Sequence, residues 1–94
     1  MKPEASRTQI SLGRTVITAN AMATLDPDSV QQALTRHANG DWGDLAPEDR
    51  QENDLSAREG FRILSAYTDS SGIKFWIITE ADRSSTTVLL PEDY

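Results

Sequence analysis

Three runs of β-branched, aromatic and aliphatic residues fill the last third of the chain, and the short polar segments between them leave few folds open. Phe61–Thr68 (FRILSAYT), Ile73–Glu80 (IKFWIITE) and Thr86–Leu90 (TTVLL) have the length and composition of strands. Asp69-Ser-Ser-Gly72 joins the first two, and a glycine late in so short a loop suits a hairpin. Ala81–Ser85 is too short for the crossover that a parallel pair requires. An antiparallel meander is therefore expected.

Alternation along the middle run places Ile73, Phe75, Ile77 and Thr79 on one face, with Lys74, Trp76, Ile78 and Glu80 on the other. Both faces are apolar at mid-run. A strand with one wet face alternates cleanly, so this one is expected at the centre of the sheet with Trp76 and Ile78 covered as well.

The rest of the chain supplies the cover. Leu25-Asp-Pro-Asp-Ser-Val30 opens a helix: Asp26 is the N-cap, Pro27 suits the first helical position and Asp28 lies where the helix dipole favours an anion. Leu25 and Val30 stand at the positions of a hydrophobic staple. Val30, Ala33, Leu34, His37 and Ala38 recur at helical spacing and form the apolar face, and Gly40 is the expected stop. Pro47–Glu59 is a second helix, closed by Gly60, with Leu55 and Ala57 as its only apolar residues. Arg14–Thr18, β-branched after Gly13, is a candidate fourth strand, while Ala19–Thr24 has no strong preference. The expected architecture is α+β, two helices on a small antiparallel sheet. Residues 1–12 read as a flexible tail and 13–94 as a single domain.

Charge separates this chain from several functional classes. Its net charge is −6, and residues 41–60 alone carry seven acidic and two basic side chains. Nine Lys and Arg in 94 residues are poor material for a basic surface, so nucleic acid is disfavoured as a partner. The absence of cysteine excludes disulfides, thiolate zinc sites and a cysteine nucleophile. No apolar run approaches the ~20 residues needed to span a bilayer, and Met1–Ser11 lacks the apolar centre of a signal peptide. No membrane association is expected and a cytoplasmic location is.

Gly40-Asp-Trp-Gly-Asp-Leu45 is the most distinctive short stretch, and two readings of it stand. In one it is a turn in which the glycines give backbone freedom, Asp41 and Asp44 cap, and Trp42 anchors the loop on the sheet or the first helix. In the other it is a recognition loop, an amphipathic Trp between carboxylates. The second helix is likewise either a solvated acidic face or a docking surface for a basic partner. Asp41, Asp44, Glu48 and Asp49 crowd oxygens together without the spacing of a calcium loop. One histidine and no cysteine make no zinc site of the usual kind, and no glycine-rich phosphate loop is present, so no metal or cofactor is expected. His37, on the apolar face of its helix, reads as a packing residue before a general base.

At Asp41-Trp-Gly-Asp44 and at Phe75-Trp-Ile-Ile-Thr-Glu-Ala-Asp-Arg-Ser84, continuing through Thr86-Thr-Val-Leu-Leu-Pro-Glu-Asp-Tyr94, the chain resembles a family of short hypothetical proteins carried on bacterial plasmids and integrated elements. The likeness extends over roughly 16–94 and implies a bacterial, cytoplasmic accessory protein. In the order of its elements alone the chain also resembles RelE-like ribonuclease toxins.

Three functions follow as expectations. The first is a non-enzymatic interaction module that binds a protein partner through Trp42, Asp41, Asp44, Glu48 and Glu52. The second is a RelE-like ribonuclease in which Arg62, Lys74 and Arg83 hold phosphate and Tyr94 or His37 transfers a proton. The third is an acidic DNA mimic that inhibits a host defence nuclease. The oligomeric state stays open.

Overall fold

Ile63–Thr68 (β2), Lys74–Thr79 (β3) and Ser85–Leu89 (β4) pair as the antiparallel meander that their sequences predict, with Tyr67 opposite Phe75 and Ile77 opposite Val88. The computed structural model describes residues 9–94. Arg14–Ile17 (β1) completes a four-stranded sheet of order β1-β4-β3-β2. It joins β4 in parallel, so the sheet is mixed and not wholly antiparallel. The reversal is possible because all the helices lie between β1 and β2, which gives the chain ample length to return.

Three α-helices are present among the described residues: Ala19–Thr24 (α1), Pro27–Ala38 (α2) and Pro47–Glu59 (α3). The added α1 has a local cause: the Thr18 side chain accepts from the Ala21 amide and caps a segment of alanines that has just left β1. At the start of α2 the Asp26 carboxylate accepts from the Ser29 amide and hydroxyl. The Asp26 amide in turn donates to Asp69 in the β2–β3 turn, so the helix is pinned to the hairpin at its first residue.

The core lies between α1, α2 and one face of the sheet. Tyr67, Phe75, Ile77 and Val88 meet Ala21, Leu25, Ala33 and Leu90 there, with Ile17, Val30, Leu34 and Ile73 at its margin. Burying a side chain such as Phe75 or Ile77 stabilises the fold by ~1.5–3 kcal/mol. The opposite face is partly covered by the carboxy-terminal segment instead of a helix, and Leu64, Ala66 and Trp76 on it stay half-buried. There the 3-10 turn Pro91–Asp93 folds back, Tyr94 meets Trp76 edge-on at 5.8 Å, and Ile78 and Leu89 are buried. Asp93 secures this turn by accepting from Thr18 Oγ1 and Asn20 Nδ2 at the β1–α1 junction.

The amino-terminal segment read as a flexible tail divides in two. Residues 1–8 lie outside the described residues, whereas Gln9–Leu12 are tied to the domain: Ile10 N donates to Ala38 O and Leu12 O accepts from Thr86 Oγ1.

Candidate functional site

The Asp41–Asp44 loop does its work on the outer edge of β2. An uncovered edge strand displays free backbone groups, and here they are met in sequence. Ala66 N donates to Trp42 O, Asp44 N donates to Ala66 O, and one residue pair further along Asn53 of α3 bonds Leu64 through both of its amide atoms. The loop is fixed from its other side as well. Arg50 donates to Leu45 O and Gly43 O, and Tyr67 Oη donates to Asp41 O at 2.6 Å.

Trp42 is only 3% exposed. Its indole N–H donates to Asp54 Oδ1 at 2.9 Å and its ring meets His37 edge-on at 5.8 Å. The structure thus realises the anchoring turn, and the Trp42 ring is not presented to a partner. Asp41 is exposed but engaged, since Arg36 donates Nε at 2.8 Å and Nη2 at 3.2 Å to its carboxylate. That hydrogen bond holds the Asp41 carboxyl below its usual range and raises the Arg36 guanidinium above its own. Asp44, also exposed, accepts from Thr68 Oγ1.

α3 is different, because it gives little of itself to the fold. Only Asn53 and Ser56 are buried, on the face toward β2. At 100° per residue Glu48, Glu52, Leu55 and Glu59 fall within one stripe about 100° round the helix from Asn53 and Ser56, and all four are exposed. Among the described residues no cation pairs with the three carboxylates of that stripe. Beyond the helix, Phe61 adds an aromatic ring that is 54% exposed.

His37 is fully buried and belongs to a chain of hydrogen bonds that crosses the core. Nδ1 stands 2.6 Å from Ser65 Oγ, Nε2 2.8 Å from Thr79 Oγ1, and Thr79 Oγ1 2.7 Å from Thr86 Oγ1. Thr86 commits its one proton to Leu12 O. Thr79 must then donate to Thr86, His37 must carry its proton on Nε2 to donate to Thr79, and Ser65 must donate to Nδ1. With the protons placed in this way every hydroxyl donates and the imidazole is neutral. Burial, reinforced by the nearby Arg83 charge, lowers the His37 pKa to about 4. Ser65 and His37 have the spacing of a nucleophile and its base, yet both are 0% exposed and no carboxylate orients the ring. The arrangement organises the interior and offers no substrate a way in.

Of the five residues of the ribonuclease expectation the structure brings Arg62 and Tyr94 together, but it does not gather all five at one place. The Arg83 guanidinium donates to the carbonyls of Phe61, Glu80, Ala81 and Ser56, tying the β3–β4 turn to the end of α3. Arg62 donates to Tyr94 Oη and lies 3.5 Å from Glu80 Oε1 on the sheet face away from α2. Lys74 is exposed at the far end of β3, opposite Thr68. His37 is on the other side of the sheet altogether. The hydroxyl partners of His37 escaped the sequence reading, and their one signal, inward-facing Ser65, Thr79 and Thr86, appears only once the strands are set in register.

Among the described residues no group of three or more His, Asp or Glu could hold a metal ion, and no helix is long and apolar enough to cross a membrane. In comparisons with known proteins, no family, no curated protein and no solved structure matches the chain. What the fold and its surface define is a small α+β domain with a sealed polar interior and an acidic helix facing solvent.

Proposed function

We propose that this protein is a non-catalytic interaction module that docks a basic protein partner on the outer face of α3. The observation that carries this reading is the exposed stripe Glu48, Glu52, Leu55 and Glu59, whose carboxylates meet no cation among the described residues, on a helix held in place through Asn53 and Ser56. Charge of this kind steers a cationic partner and sets orientation, while Leu55 and Phe61 give the contact an apolar centre. We place the protein in the cytoplasm, as a bacterial accessory factor.

The test is affinity capture from the native host, with mass spectrometry of what co-elutes. A triple variant Glu48→Lys, Glu52→Lys and Glu59→Lys alters only exposed side chains, so it is expected to stay folded with a melting temperature only a few degrees lower, because Glu48 lies in the first turn of α3. It is expected to bind the wild-type partner at least roughly tenfold more weakly, and wild-type binding is expected to fall with added salt. Undiminished recovery of the same partner by the triple variant removes the reading.

A further inference from the structure

The two edges of the sheet are treated in opposite ways. The β2 edge is closed by the 42–44 segment and by Asn53, whereas among the described residues nothing pairs with the outer edge of β1. Arg14 N and Thr18 N donate inward to Ser84 O and Val88 O of β4, so the amides and carbonyls of Thr15 and Ile17 between them point outward. Val16 is 38% exposed on this strand, and Met22 of α1 nearby is 67% exposed.

The helical layer also stops short of β1. Between β1 and the flank of α2 lie two depressions of ≈ 370 and ≈ 240 Å³ that adjoin at Gln31. Leu12, Thr15, Leu34 and Ala38 line one, and Ile17 and Val30 line the other. No charged side chain lines either, in a chain where 26% of residues are charged. The acidic helix α3 is at the opposite, β2 side of the sheet.

We propose that β1 pairs with β1 of a second copy of this chain, antiparallel about a two-fold axis at Val16, to form a continuous eight-stranded sheet. With that register Thr15 of each copy exchanges both backbone hydrogen bonds with Ile17 of the other, which satisfies all four outward groups of each strand. Val16 meets its own counterpart on one face. Thr15 meets Ile17 on the other, over the uncharged groove. Charge selects the occupant: two chains of −6 repel one another over most of their surface, and the lining of the two depressions carries no carboxylate that would add to that repulsion. Self-pairing here keeps both α3 helices at the outer ends of the joined sheet.

Sedimentation equilibrium of the full chain tests this directly. The 10.4 kDa protein is expected to associate to twice that mass with a dissociation constant on the order of 10 µM or below. Thr15→Pro removes an outward amide that β4 does not use, and Val16→Lys sets two cations face to face across the axis. Each is expected to weaken association by roughly tenfold or more while leaving the circular dichroism spectrum and monomer melting temperature unchanged. A wild-type chain that remains monomeric up to high concentration overturns the proposal. So does a dimer that both variants leave at wild-type affinity.

Discussion

Replacing His37 with alanine is expected to lower the melting temperature by roughly 15–30 °C, because the lost stability is ~3–5 kcal/mol in a domain of this size. Two costs combine. Removal of the imidazole leaves a cavity beside Trp42, whose ring contacts it at 5.8 Å, and it deprives the buried Ser65 and Thr79 hydroxyls of their shared partner. The same residue makes stability depend on pH. Its pKa falls from 6.5 in the unfolded chain to about 4 in the fold, so between those values the unfolded chain binds a proton that the folded one refuses. Stability from the neutral imidazole is complete above 6.5 and is lost as pH falls through 4, amounting to ~3 kcal/mol over that window. The carboxyls of Asp41, Asp69 and Asp93, held low by hydrogen bonds, add their own loss at still lower pH. Since the chain has one histidine, thermal melts from pH 7 to 4 in wild type and His37→Ala separate the contributions. The limb between 6.5 and 4 is expected to vanish in the variant. A wild-type melting temperature that is flat across that range sinks the neutral-imidazole account.

Much of the scaffold that holds His37 was legible locally. Asp26 and Pro27 announce the start of α2, Gly60 ends α3 in the left-handed conformation, and the run around Trp76 and Ile78, apolar on both faces, marks β3 as a central strand. Local chemistry determines these features, so a window of a few residues contains them. The partners of His37 are another matter. Ser65, Thr79 and Thr86 each look like ordinary hydroxyls in strands, and only the register that sets Thr79 opposite Thr86 and Ile63 brings them beneath one imidazole. The parallel docking of β1 is likewise decided by contacts more than 70 residues away in the chain, such as Thr86 Oγ1 to Leu12 O. Tertiary context also decided between the two readings of Trp42: Asp54 on α3 supplies the acceptor that allows the indole to be buried as the anchor of its turn. The carboxylates of α3 stayed readable as a solvated face, because that helix has almost no apolar residue to draw it further in.

Gly43→Ala is expected to cost ~3–5 kcal/mol, several times the effect of the same substitution at Gly60. Both glycines have positive φ, +76° at Gly43 and +82° at Gly60, so the alanine variants share a conformational penalty of ~1–2 kcal/mol. They differ in what surrounds the new methyl group. At Gly60 a Cβ has nothing within 4 Å, whereas at Gly43 it falls 2.0 Å from the Ala66 carbonyl oxygen and 2.8 Å from the Tyr67 ring. Neither neighbour is free to yield: Ala66 is in the middle of β2 and Tyr67 is locked by its bond to Asp41 O. The loop has to lift off the strand, which breaks the two hydrogen bonds that join Trp42 and Asp44 to Ala66 and draws the indole away from Asp54. Urea unfolding of the two variants beside wild type isolates the close approach, because the backbone penalty cancels between them. Equal destabilisation at the two positions would mean that the 42–44 segment does not lie against β2. In that case the edge closure, and with it the contrast with the open β1 edge, would have to be abandoned.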